Sequence, residues 1–283
     1  MFWGVVIMSF TTYPYVFLLS SESFEKGGKK QIEACRTLGI GPWKSFFRIS
    51  LPIAIPSITA GLALMAMEII NELGAVQLLN IPSISAGILE SWVEEGEPSG
   101  AIALALFALI LVFVLVAIER RSRARSKRWT EGISSGDLPK WELKGINLFL
   151  AQVITLTPPI FTLGIPISWA VINIDQMSQG LNSDLIGLTI RSFGLALVVS
   201  LITIFIALIL SISKRWQNHQ WLNILTFLSS IGYAIPGSVL ALALISFKGS
   251  IWQINVLSLL IWGYSIRFLA VSKGGLDAGL ERI

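Results

Sequence analysis

Glu68, Asn71 and Glu72 interrupt a long apolar run from Leu51 to about Leu79, and such residues inside hydrocarbon invite a polar role. Positions 68 and 72 stand four apart, so a continuous helix places both carboxylates on one face. A carboxylate in hydrocarbon costs on the order of 3 kcal/mol, which is why intramembrane acids usually face a cavity or mark a pathway. Depth weakens that case. Counting ~1.5 Å per residue from Pro52 puts Glu68 roughly 24 Å and Glu72 roughly 30 Å along a core about 30 Å thick. Two readings stand side by side: the mouth of a translocation path, or ordinary polar residues at the outer interface.

No enzyme signature accompanies these residues. The sequence contains no G-x-x-x-x-G-K-[ST], no H-E-x-x-H and no G-x-S-x-G, and the pairs Gly27-Gly28 and Gly274-Gly275 follow no strand. One His (His219) and one Cys (Cys35) exclude an internal disulfide and any zinc spacing. The chain reads as non-enzymatic, with no cofactor and no metal ligand set assigned.

The elements that position these residues are membrane helices. The chain is 54% apolar and 13% charged, with mean hydropathy +0.73. Candidate spans fall at 3–19, 51–79, 101–118, 146–172, 186–213, 221–246 and 254–272, an all-α bundle of about seven helices. Pro158, Pro159 and Pro166 predict a kink in the fourth span, and Pro236-Gly237 a break in the sixth that neighbouring helices must cover. The N-terminal run lacks a basic n-region and a cleavage site, so it reads as a span. With seven spans, segments 20–50, 119–145, 213–220 and 273–283 share one side and hold 18 of the 21 Lys and Arg. The positive-inside rule places them in the cytoplasm and the acidic stretch 80–100 outside. The basic run 120–128 reads as a topology signal attracted to anionic lipid, and nucleic acid is not an expected partner.

The longest polar-patterned stretch between two spans is Gln31-Ile-Glu-Ala-Cys-Arg-Thr-Leu-Gly-Ile-Gly-Pro-Trp-Lys-Ser-Phe-Phe-Arg-Ile-Ser-Leu-Pro52. It predicts a short helix stopped by Gly39, Gly41 and Pro42, then a second amphipathic run from Trp43 to a new helix at Leu51-Pro52. That is a helix–turn–helix lying on the membrane surface, with its basic residues toward water.

Glu33-Ala34, Gly39, Ile49 and Leu51-Pro52 reproduce the pattern E-A-A-x₃-G-x₉-I-x-L-P, with Cys35 in place of the second Ala. In this the loop resembles the cytoplasmic signature of permease subunits of binding-protein-dependent ABC importers. The wider string through Gly41-Pro42-Trp43 and Phe46-Phe47 resembles the ferric-iron subgroup. The resemblance implies a MetI-like permease of the bacterial plasma (inner) membrane. Its implied partners are a pair of ABC ATPase subunits on the cytoplasmic face and a periplasmic or lipid-anchored substrate-binding protein. It also implies that Glu33, Ala34, Cys35, Gly39, Ile49, Leu51 and Pro52 couple to the ATPase. Ala34 and Cys35 would permit close approach, and Glu33 would meet a basic group. Fe³⁺, a hard ion, suits oxygen ligands such as Glu68, Asn71 and Glu72. Importers of sulfate, thiamine or polyamines share the loop signature, and a passive channel or structural membrane protein is the alternative of a different class.

Trp3-Gly4 through Phe17-Leu18 is similar in character to Trp262-Gly263 through Phe268-Leu269, but only the first copy is followed by the loop. The expectation is a central piece of a two-half fused permease. Residues 1–118 would be the end of half one, 119–145 a basic linker, and 146–283 the start of half two.

Overall fold

The computed structural model describes residues 2–26, 29–130, 142–175, 183–216, 219–250 and 255–280. Residues 131–141 of the expected linker, and 281–283, lie outside them. Among the described residues there are helices and turns but no strand. In chain order the helices are α1 (Phe2–Lys26), α2 (Lys29–Thr37), α3 (Pro42–Asn71), α4 (Gly74–Leu78), α5 (Ile84–Leu89), α6 (Pro98–Thr130), α7 (Ile146–Ile172), α8 (Ser183–Trp216), α9 (Gln220–Ile231), α10 (Gly237–Ser250) and α11 (Val256–Leu280). They form two compact units. One comprises Met1–Pro82 with Leu111–Ile172, the other Ser83–Ile110 with Asn173–Ile283.

Six helices, α1, α3, α6, α7, α8 and α11, are long and apolar enough to cross a bilayer, and α9 with α10 qualify together as a pair bent by 111°. Side-chain bonds fix the relative direction of the two long helices on either side of the bent pair in the chain. Ser272 Oγ donates to Thr203 Oγ1 at 3.2 Å, and Ser211 Oγ donates to Asp277 Oδ1 at 2.8 Å. Both helices advance in the same direction along this contact, so α8 and α11 are parallel and end on the same side. Between them α9 and α10 meet at a sharp bend at Pro236. By length and composition the described residues offer six spans, or seven if the bent pair is one broken span, against the seven that hydropathy predicts.

In the first unit α1 and α3 pack antiparallel. Phe24 stacks on Phe46 at one end of the contact, with centroids 5.9 Å apart. Further along, a Cβ on Gly61 would come 2.7 Å from Val16 Cα, so the absent side chain is what lets the two backbones meet. Phe10 stacks on Phe161 of α7 at 5.1 Å. In the second unit Ala101, Ala105 and Ala108, one small-residue stripe of α6, pack with Ile88, Val239 and Leu242. Outward faces stay apolar, with Phe2, Phe107, Ile154, Phe193 and Leu257 all exposed, as helices solvated by lipid require.

Prolines shape this fold differently from expectation. The run from Trp43 is not a separate surface helix, because α3 is continuous from Pro42 to Asn71. A π-turn, Phe46–Ser50, precedes Leu51-Pro52, and Leu51 N–H donates to Phe46 O. The wider turn shifts the hydrogen-bond ladder just before the residue that has no donor, so the helix survives its proline. The same device, π-turn Ile160–Gly164 before Ile165-Pro166, carries α7 through its prolines. At the other end α3 stops at Asn71 rather than near Leu79. Glu72 is extended (φ −72°, ψ 121°), and its Oε1 accepts from Ala75 N–H at 2.9 Å to cap α4. Glu68 and Glu72 therefore do not share a helix face. The basic run 120–128 continues α6 as helix, where Glu119 pairs with Arg123 at 2.6 Å.

Candidate functional site

The 31–52 segment is built on a left-handed glycine. Gly39 has φ +70°, and α2 closes around it by two bonds: Ile40 N–H to Cys35 O at 2.9 Å and Gly39 N–H to Arg36 O at 3.0 Å. These are the paired six-to-one and five-to-two bonds of a Schellman ending, which satisfy the last carbonyls of the helix. Thr37 Oγ1 takes up a further one, donating to Ala34 O at 2.9 Å. Gly41 then turns extended (φ −63°, ψ 160°), and Pro42 opens α3 from the first-turn position that tolerates a missing donor. Only two linking residues separate the Schellman glycine from a helix that runs on into the membrane.

Each side of this element has its own composition. Glu33 and Ala34 are exposed, as are Leu38 (75%), Trp43 (75%) and Phe47 (60%). Trp43 and Phe47 stack at 6.4 Å, forming a small aromatic platform beside Lys44 and Arg48. Cys35 is buried, with 7% of its surface exposed. This corrects the expectation that Cys35 offers close approach to a partner, because its small side chain is used inside the chain, where α2 packs on the π-turn. Ile49 and Leu51 lie at the π-turn, half-buried, and Pro52 is exposed just after it.

At the outer end of α3, Asn71 has both amide atoms buried and, among the described residues, no hydrogen-bond partner for either. Glu68 is half-buried on the same helix, while Glu72 is engaged in capping α4. Among the described residues, no three His, Cys, Asp or Glu side chains converge as a metal-binding group. Two features of α11 were not singled out from sequence. Lys273, its side chain 7% exposed, pairs with Asp277 at 2.8 Å, and Ser211 of α8 bonds the same carboxylate. Arg267 lies at mid-helix beside the α9–α10 break. For Arg267 the signal was a basic residue inside an apolar span, whereas Lys273 opens the segment 273–283 that reads as a loop.

The all-α, multi-pass bundle with a surface loop of this pattern is similar to the permeases of binding-protein-dependent importers. Residues 1–128 match the family model described as "Binding-protein-dependent transport system inner membrane component". Over the whole chain there is 25% identity, across 298 aligned residues, to the Fe(3+)-transport system permease protein FbpB 2 of Haemophilus influenzae. The molybdenum transport system permease protein ModB of Azotobacter vinelandii is 31% identical over 130 residues, which is 42% of this chain and 57% of that protein. The sulfate transport system permease protein CysT of Escherichia coli is 38% identical over 71 residues, 25% of this chain and 26% of that one. The chain spans 57% of the length of the FbpB relative. No solved structure matches it.

Proposed function

We propose that this chain is the membrane-spanning permease subunit of an ABC importer, driven by a separate ATPase pair that docks on residues 31–52. One observation carries the reading. The exposed face of α2 and of the start of α3 belongs to an element whose second helix runs unbroken from Pro42 to Asn71. A displacement of the loop is then transmitted along α3 as a rigid lever, the motion that alternating access requires. Glu33, Ala34, Leu38, Trp43 and Phe47 form the docking face. Gly39 sets its angle, and Ile49, Leu51 and Pro52 join it to the span. A substrate-binding protein delivers cargo to the opposite face, and Glu68 and Asn71 line the path near its outer end.

The cargo on this reading is ferric iron, supported by the relative whose match covers the full chain. A second reading, a tetrahedral oxyanion, draws support from the molybdenum and sulfate permeases and from the placement of Arg267. The test is co-purification from detergent of the tagged chain with an ATPase, wild type against Glu33→Arg. Retention by wild type and loss by the variant supports docking at 31–52. Absence of an ATPase from both favours a passive channel or structural protein.

A further inference from the structure

One face of α8 carries hydroxyls where a span surrounded by lipid needs none. Ser192, Ser200, Thr203 and Ser211 fall within about 100° of one another at ~100° per residue, so they form one row. The opposite face, with Leu201, Phe205 and Ile212, is apolar and exposed. Against the hydroxyl row lies α11, parallel to α8, which adds Tyr264, Ser272 and Asp277.

The seam between the two helices changes character along its length. From Ser192 to Thr203, roughly 16 Å at ~1.5 Å per residue, it is open. A cavity of about 570 Å³ lies there, and five of its ten lining residues carry a hydroxyl: Ser192, Ser200, Thr203, Tyr264 and Ser272. No charged side chain belongs to that lining. Ser192, Ala196 and Ser200 are exposed, but the same face is shut from Thr203 (1% exposed) through Ala207 (0%) to Ser211 (5%). Ser272 Oγ donates to Thr203 Oγ1 at 3.2 Å where the groove ends. Beyond it both oxygens of Asp277 are engaged: Oδ1 accepts from Ser211 of α8 and Oδ2 from the buried Lys273, each at 2.8 Å. Lys214 of α8 adds a further positive charge toward this carboxylate. Segments 213–220 and 273–283 are the basic, cytoplasmic ones, so the closed end is the inner end.

Hydroxyl bonds between helices hold membrane bundles together, and the Ser272–Thr203 bond does so here. That role does not account for Ser192 and Ser200, which border open space. A polar void of this size at membrane depth suits water, whereas a dry void is apolar. We propose that the groove between α8 and α11 is a water-filled half-channel open toward the outer face, and that Asp277, held by Ser211 and Lys273, is the lock that closes it toward the cytoplasm. The lining offers hydrogen bonds without net charge, so it admits small hydrated solutes and fixes neither sign. Its use by cargo rests on the permease reading, in which release of the lock opens the inner end.

Thiol accessibility of the full chain in membrane vesicles tests this, with Cys35→Ala as background and a charged, membrane-impermeant methanethiosulfonate as probe. Ser200→Cys should react from the outer face in right-side-out vesicles and far more slowly from the inner face in inverted ones. Leu201→Cys, on the apolar face, should stay unreactive from both. Asp277→Asn should speed the inner-face reaction of Ser200→Cys roughly 10-fold, the scale of a lost charge-assisted hydrogen bond. Leu201→Cys should remain protected in that variant, whereas general unfolding would expose it too. Ser211→Ala, usable if Asp277→Asn fails to fold, should give a smaller rise in the same direction. Reaction of Ser200→Cys no faster than that of Leu201→Cys would overturn the half-channel and make the seam dry packing. Equal reaction from both faces with the lock intact, or unchanged inner access in both lock variants, would overturn the lock. ATPase co-purification is a separate readout, so failure of the permease reading and failure of the half-channel are distinguishable.

Discussion

Gly39 offers the cleanest perturbation of the loop, because its cost is purely conformational. At φ +70° an L-residue pays about 1–2 kcal/mol for the left-handed region, and Asn pays less because its side chain tolerates that region. No heavy atom lies within 4 Å of a Cβ at this position, so a steric clash contributes nothing. Gly39→Ala should therefore raise opening of the turn by roughly 5- to 30-fold, Gly39→Asn by clearly less, and Gly39→Val by more than either. The assay is amide hydrogen exchange at Ile40, whose N–H is bonded to Cys35 O at 2.9 Å across the turn. ATPase retention should fall in the same order. Equal exchange in the Ala and Asn variants, or none faster than wild type, would refute the argument that the left-handed turn holds the loop.

Four further outcomes follow from the packing. Gly61→Leu puts a side chain where even a Cβ stands 2.7 Å from Val16 Cα, so thermal unfolding in detergent should show a loss of about 1–3 kcal/mol or more. Asn71→Leu removes two buried, unpartnered polar atoms, so the melting temperature should hold or rise while transport in proteoliposomes falls. A lower melting temperature with unchanged transport would count against Asn71 as a path residue. Asp277→Asn leaves Lys273 buried without a counter-charge. Asp277 is 35% exposed, so the expected loss is discounted to about 1–2 kcal/mol, and Lys273→Met in the same chain should recover most of it. Ser211→Ala should cost about 0.5–1.5 kcal/mol by the same melting assay.

Much of the fold was legible because a bilayer imposes long apolar helices and the basic residues cluster on alternate loops. The turn at 39–42 was legible for a similarly local reason, since Gly and Pro there have few conformational options. Continuity of α3 was not, because Pro52 reads as a boundary until a π-turn is seen to absorb it. The end of α3 was hidden too. Glu72 looked like an intramembrane acid on a helix face, and only the Ala75 N–H that it accepts shows it to be a cap. Burial of Cys35 could not be read from a family pattern that fixes size and spacing but not which way a small side chain points. Arg267 was visible only as a basic residue inside the apolar span 254–272, because its relation to Gly237 is made by a tertiary contact between helices.

Site-specific cross-linking tests the central claim most directly. The sequence has one Cys, buried at position 35, so Leu38→Cys in a Cys35→Ala background places a single thiol on the 75%-exposed face of the loop. The account predicts that a short bifunctional reagent joins this thiol to a co-purifying ATPase, with a yield that changes when ATP is added. It also predicts that the same thiol placed at Lys144, outside the loop, gives no such product. Equal labelling at both positions, or cross-links from Leu38→Cys to lipid and solvent reagents alone, would contradict it.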